Sequence, residues 1–95
     1  MWEKLNTEGT TGSENGEILV DEEYKNSCRI TLEKCEKWYA ITCGVYGAMA
    51  HTAFFDFNNY QEKYDAMKKD LQDFIDKDTS FEEELAFYHE FTTKY

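Results

Sequence analysis

Residues 38–56 read WYAITCGVYGAMAHTAFFD, and the rest of the chain is arranged around this stretch. It contains no Asp, Glu, Lys or Arg before the closing Asp56, in a chain in which 32% of residues are charged. Gly47, near its middle, can adopt the positive φ that a tight turn requires. We therefore predict a β-hairpin whose two-residue loop is Tyr46-Gly47.

The register of this hairpin determines which side chains share a face of the sheet. With a two-residue loop, Cys43 pairs with Ala50, so Cys43 and His51 point to opposite faces and cannot form a catalytic dyad. Both faces are apolar, and helices are expected to cover only one of them. The other face should hold a shallow hollow that serves as an interface or a ligand site, formed by Trp38, Met49, His51 and Phe55.

The residues before the hairpin predict an arm and two strands. Residues 1–16 are rich in Gly and polar residues and predict a flexible N-terminal arm, although Trp2 could dock on the open sheet face. Residues 17–22 predict a strand at a sheet edge, because the second half of this segment is acidic. Residues 28–33 alternate apolar and polar side chains, as a half-buried strand does. Residues 17–95 are therefore expected to form a single domain.

The residues after the hairpin predict two helices. A first helix is indicated by apolar residues that recur at helical spacing, namely Tyr60, Tyr64, Met67, Leu71 and Phe74. A second helix follows two overlapping capping boxes, Thr79-x-x-Glu82 and Ser80-x-x-Glu83. Its inward side chains would be Phe81, Leu85, Tyr88 and Phe91. Strands followed by helices, with short connections, predict an α+β fold: an antiparallel β-meander of about four strands followed by two helices packed on one face.

The charge of the chain restricts the partners that it can have. Twenty acidic residues against ten basic ones give a net charge of −10. This charge disfavours nucleic acid and anionic membranes and favours a basic protein partner. The predicted partner-binding surface consists of acids near the junction of the two helices, namely Asp73, Asp76, Asp78, Glu82, Glu83 and Glu84. The alternative is that these acids only keep the protein soluble.

The sequence contains no motif that predicts catalysis, a cofactor or a metal. It has no Gly-rich phosphate loop, no G-x-S-x-G and no HExxH. Its three cysteines lack the paired spacing of a zinc site, and the acids from Asp70 to Asp78 lack the glycine and the closing Glu of a calcium loop. The odd number of cysteines and the absence of an apolar segment at the N-terminus predict a reduced, cytoplasmic protein.

These observations favour a small acidic, non-catalytic interaction protein. In composition the chain is similar to small inhibitory or immunity proteins, including phage-encoded antagonists of nucleic-acid enzymes. Two alternatives remain open at this stage. One is a small-ligand-binding or enzymatic subunit that uses the hollow around Trp38, His51 and Phe55, and the other is a structural homodimer.

Overall fold

One antiparallel sheet and two helices make up the fold in the computed structural model, which describes residues 1–95. The five strands lie side by side in chain order. The element bounds are β1 Trp2–Lys4, β2 Glu17–Tyr24, β3 Cys28–Lys34, β4 Tyr39–Val45, β5 Met49–Phe55, α1 Tyr60–Asp76 and α2 Phe81–Lys94. The predicted α+β class, the meander and the two helices that follow it are confirmed, and the number of strands is five.

The additional strand, β1, comes from the segment that was expected to be a flexible arm. β1 pairs with the end of β2, and the ring of Trp2 lies 5.1 Å from that of Tyr24. The Trp2 indole also donates a hydrogen bond of 2.9 Å to Gln72 on α1. The expectation of an unstructured arm is therefore wrong for Trp2–Lys4, and Trp2 docks on the helical face, not on the open one. β2 is consequently an interior strand, not the predicted edge strand.

The hydrophobic core lies between the sheet and the helices. α1 presents Tyr64, Met67 and Leu71 to it, and all three are buried. They meet a layer of buried strand residues that includes Ile30 and Ile41. Because the predicted helical spacing places these three α1 residues on one face, burial of that face accounts for the position of α1 across the sheet.

α2 is attached to the core through its second half. Phe91 is 2% exposed, and Phe87 stacks on Phe74 of α1 with ring centroids 4.1 Å apart. The prediction that Phe81 and Leu85 point inward is wrong, because these side chains are 72% and 52% exposed. The ring contacts of Phe87 and Phe91 set the rotation of the helix about its axis, and this rotation turns the apolar residues of the first turns outward.

The hairpin loop contains three residues, Tyr46 to Ala48, one more than predicted. Val45 pairs with Met49, and the Ala48 amide donates a 3.0 Å hydrogen bond to the Val45 carbonyl. Gly47 adopts a φ of 75°, as expected for the turn. Because side chains alternate along a strand, the extra loop residue moves every side chain of β5 to the opposite face from the predicted one.

Two buried carboxylates on the face opposite the helices hold the loop that joins β1 to β2. Asp21, which is 0% exposed, accepts hydrogen bonds from Thr7 at 2.6 Å and from Arg29 and Thr31. Glu33, which is 1% exposed, accepts from the amides of Glu14 and Gly16 at 3.1 and 3.0 Å. The first half of the chain is thereby fastened across part of this sheet face.

Candidate functional site

The surface between the two helices contains a groove of 460 Å³, which we call the interhelix groove. Its floor is aromatic and consists of Phe74, Phe87 and Phe91. Its rim carries four carboxylates and two ammonium groups, an excess of two negative charges, from Asp70, Asp73, Glu83, Glu90, Lys77 and Lys94. An apolar floor with an acidic rim can bind a segment that is apolar on one side and basic on the other.

Helical spacing explains how the sequence builds this groove. On α2, Glu83, Phe87, Glu90 and Lys94 succeed one another at steps of three or four residues and therefore share one flank of the helix. The capping box that starts α2 fixes Glu83: Ser80 accepts from the Glu83 amide at 3.2 Å, and the Glu83 carboxylate accepts from the Ser80 amide at 3.3 Å. The predicted start of α2 is thereby confirmed.

Local hydrogen bonds shift the pKa values of two charged groups on the rim. Asp70 accepts from the Lys94 ammonium at 3.1 Å and from the Tyr95 hydroxyl at 2.5 Å, and the hydrogen bond to Asp70 raises the pKa of Lys94. The backbone hydrogen bond from Ser80 is the main cause that lowers the pKa of Glu83, so this carboxyl stays ionised at neutral pH. The Glu90 carboxylate accepts no side-chain hydrogen bond and has no cationic partner within the chain, so it remains available to an external cation.

The six predicted partner-binding acids do not lie together. Asp73 and Glu83 line the interhelix groove. Asp78 and Glu84 line a separate recess at the end of the sheet, and Glu82 is exposed outside both. Asp76 is engaged internally, since it accepts from the Lys25 ammonium at 2.6 Å and the Tyr24 hydroxyl at 2.7 Å.

Two acids of the groove were not among the predicted partner-binding residues. Asp70 is three residues before Asp73, and Glu90 is seven residues after Glu83. The helical spacing of both pairs is visible in the sequence and could have identified them. Which flank of α2 faces α1 was not visible, because the rotation of α2 depends on the ring contacts of Phe87 and Phe91.

The four residues predicted to form a hollow on the open sheet face are not brought together. Met49, His51 and Phe55 lie on the face that the helices cover, and the His51 ring is 6.2 Å from that of Phe91. Trp38 lies apart from them, 44% exposed, against the ring of Phe54. A hollow of 410 Å³ does exist on the open face, and it is lined by other residues, including Ser13, Arg29, Thr31, Thr42, Gly44 and Tyr46.

Cys43 and His51 are directly opposite each other on β4 and β5, so the expectation that they occupy opposite faces is wrong. The pair nevertheless has the properties of a packed core and not of a catalytic dyad. Burial raises the pKa of Cys43 to about 12, so the thiol is protonated at neutral pH and is a poor nucleophile. The buried Nε2 atom of His51 has no hydrogen-bond partner, so it does not activate the thiol.

Comparisons with known proteins identified no relative of this chain. No protein-family model, no curated protein and no solved structure matches the chain. No group of three or more His, Cys, Asp or Glu side chains is arranged so that it could hold a metal ion. Neither helix combines the length and the apolar character that are needed to cross a membrane. The function must therefore be inferred from the geometry of the surface.

Proposed function

We propose that this chain is a small acidic, non-catalytic interaction protein that binds a basic segment of a partner protein in the interhelix groove. The observation that carries the proposal is the aromatic floor of the groove, bordered by more carboxylates than ammonium groups. By binding such a segment, the chain would act as an inhibitor, an immunity protein or a mimic of nucleic acid. A cytoplasmic location belongs to the same proposal and is supported by the three free cysteines.

The contacts of the groove favour an amphipathic, basic ligand. The rings of Phe74 and Phe87 offer apolar area to one side of an incoming helix or strand. Asp73 pairs with Lys69 at 2.8 Å, but both side chains are more than half exposed. Exposed ion pairs of this kind contribute little to stability, so a partner's Lys or Arg can replace Lys69 without a large loss.

The net charge of −10 gives the groove long-range selectivity. A negative field accelerates the approach of basic proteins and repels nucleic acids, whose phosphates would face carboxylates. Carboxylates presented on a rigid helix pair can occupy a basic channel that would otherwise hold phosphates.

The test is the binding of a fluorescently labelled, amphipathic, Lys-rich helical peptide, measured by anisotropy over a range of salt concentrations. The double variant Asp73→Lys/Glu90→Lys reverses two rim charges and avoids Glu83, which the capping box needs. The matched control is Asp65→Lys/Glu82→Lys. It makes the same change in charge on the same two helices, at exposed positions outside the groove.

We expect the affinity of the wild type to fall as salt rises, and the groove variant to bind at least about tenfold more weakly than the control. Equal losses of affinity in both variants would mean that the peptide responds only to the net negative charge of the protein and not to the groove. An affinity that is indifferent to salt and to both variants would refute the proposal.

A further inference from the structure

The strand β5 is an open edge of the sheet. It pairs with β4 on one side only, and no other backbone or side-chain group of the chain bonds to its peptide groups. Alternate residues of Met49–Phe55 therefore turn an N–H and a C=O outward without a protein partner. The opposite edge, β1, is only three residues long and carries Glu3 and Lys4, features that protect an edge from pairing.

The open edge is also the least charged part of the molecule. No Asp, Glu, Lys or Arg occurs between Trp38 and Phe55, which include all of β4 and β5. On β5 itself, Phe54 is 50% exposed on the open face of the sheet. A long, uncharged edge strand that carries an exposed aromatic ring is suited to pairing with another strand.

We propose that two copies of this chain associate through β5, with the two strands antiparallel about a two-fold axis at Thr52, to form one continuous ten-stranded sheet. In this register Thr52 meets its own copy. Phe54 lies opposite Ala50 of the other copy, which places a large side chain against a small one. Met49 lies opposite Phe55, a pair in which the thioether can contact the ring.

The sequence of β5 favours a second copy over a different protein as the occupant of this edge. The antiparallel register about Thr52 matches large with small residues on the open face and brings no like charges together. A basic partner of the kind proposed for the interhelix groove would find no carboxylate on β5 with which to pair. The dimer does not rest on the proposed function, because β5 contributes no residue to the groove.

The first test is sedimentation equilibrium of the full chain as a function of concentration. Ala50→Lys places a cation on β5 opposite Phe54 of the other copy, at a side chain that is already exposed. The matched control is Ala48→Lys, at another exposed alanine, which lies in the hairpin loop outside the strand. We expect a wild-type dimer whose dissociation constant rises at least about tenfold in Ala50→Lys and changes little in Ala48→Lys. Circular dichroism of each variant verifies that the fold is retained.

The second test fixes the register. Directly opposed residues in an antiparallel pair have Cα atoms about 4.5–5.5 Å apart, which a disulfide can bridge. In a Cys35→Ser background, Thr52→Cys should therefore form a covalent dimer under mild oxidation, whereas Ala48→Cys should not. Added salt should strengthen the dimer, since it screens two chains of the same charge, whereas it weakens binding in the groove.

A chain that stays monomeric at all concentrations from about 1 µM to about 1 mM would overturn the proposal. A dimer that tolerates Ala50→Lys and does not cross-link through Thr52→Cys would also overturn it, since such a dimer uses another surface. Either result leaves the peptide-binding test of the groove unaffected, so the two proposals fail independently.

Discussion

Replacing Asp21 with Asn should destabilise the fold more than the loss of one surface charge can explain. Asp21 is 0% exposed and accepts four hydrogen bonds, two of them from the Arg29 guanidinium. Asn has nearly the same shape but no charge, and its NH2 group would face either the guanidinium or a hydroxyl that now donates. The substitution therefore leaves partly buried donors without acceptors while the packing is almost unchanged.

The surroundings of Asp21 set the size of the effect. Removing one partner of a fully buried ion pair costs about 3–5 kcal/mol, and the loss of a hydrogen bond to a charged group costs about 1.5–3 kcal/mol. The Arg29 side chain is 42% exposed, so water can solvate part of the unpaired guanidinium. We therefore expect a loss of about 2–3 kcal/mol in the free energy of unfolding, and a fall in Tm of about 10–20 °C for a domain of this size.

The same variant should change the pH dependence of stability. Burial alone would raise the pKa of Asp21, but the hydrogen bonds from Arg29, Thr7 and Thr31 and the charge on Arg29 outweigh it and lower the pKa. A carboxyl whose pKa is lowered by folding stabilises the native state above its unfolded pKa, and this contribution disappears as pH falls through the folded pKa. The free energies of unfolding of wild type and variant should therefore converge below about pH 4.

Urea denaturation at neutral and acidic pH is the assay, and Glu17→Gln is the control. Glu17 is an exposed residue at the start of the same strand, so its substitution removes one negative charge without removing a buried acceptor. Hydrogen exchange should also show faster exchange in residues 5–16, since Thr7 loses its bond to the carboxylate. A loss within about 0.5 kcal/mol of the control, or the same difference at every pH, would show that the ionised Asp21 carboxylate does not stabilise the fold.

Three further predictions follow from the core and from the thiols. Leu71→Ala empties a fully buried position and should lower the free energy of unfolding by about 2–5 kcal/mol in urea denaturation. Tyr64→Phe removes a hydroxyl that donates to the Glu22 carboxylate at 2.7 Å and should cost about 1–2 kcal/mol in the same assay. Iodoacetamide should modify Cys35 first, because Cys43 is buried and its pKa is raised to about 12; peptide mass spectrometry of the native protein checks the order.

The helices could be predicted from the sequence because each relevant signal is local. The apolar stripe that includes Tyr64, Met67 and Leu71 has no competing period, and the Ser80 capping box fixes the start of α2 within four residues. The short strand β1 could not be predicted, because three residues are too few to show an alternation. Its position depends on the docking of Trp2 on α1, seventy residues away along the chain.

The register of β5 could not be predicted for a different reason. Hydrophobic alternation selects a register only where one face of a strand is polar, and both faces of this hairpin are apolar. The register of β5 therefore depends on the length of the hairpin loop, and Gly47 permits a loop of either two or three residues. The distribution of acids between the groove and other surfaces could not be predicted either, because it depends on contacts between residues far apart in the chain. Asp76, for example, is bonded to Tyr24 at the end of β2 and to Lys25 in the turn that follows.

The two proposed surfaces would act together in a dimer. A two-fold axis perpendicular to the sheet keeps the helices of both copies on the same side, so the dimer would present two interhelix grooves in one direction. A partner that carries two basic segments would then bind the second one intramolecularly, with a gain in avidity. Ala50→Lys touches no residue of the groove, so it should leave the affinity for a single basic peptide unchanged. Ala50→Lys should reduce the affinity for a tandem peptide to that for a single peptide. Equal affinities of wild type and Ala50→Lys for the tandem peptide would show that the two grooves bind independently.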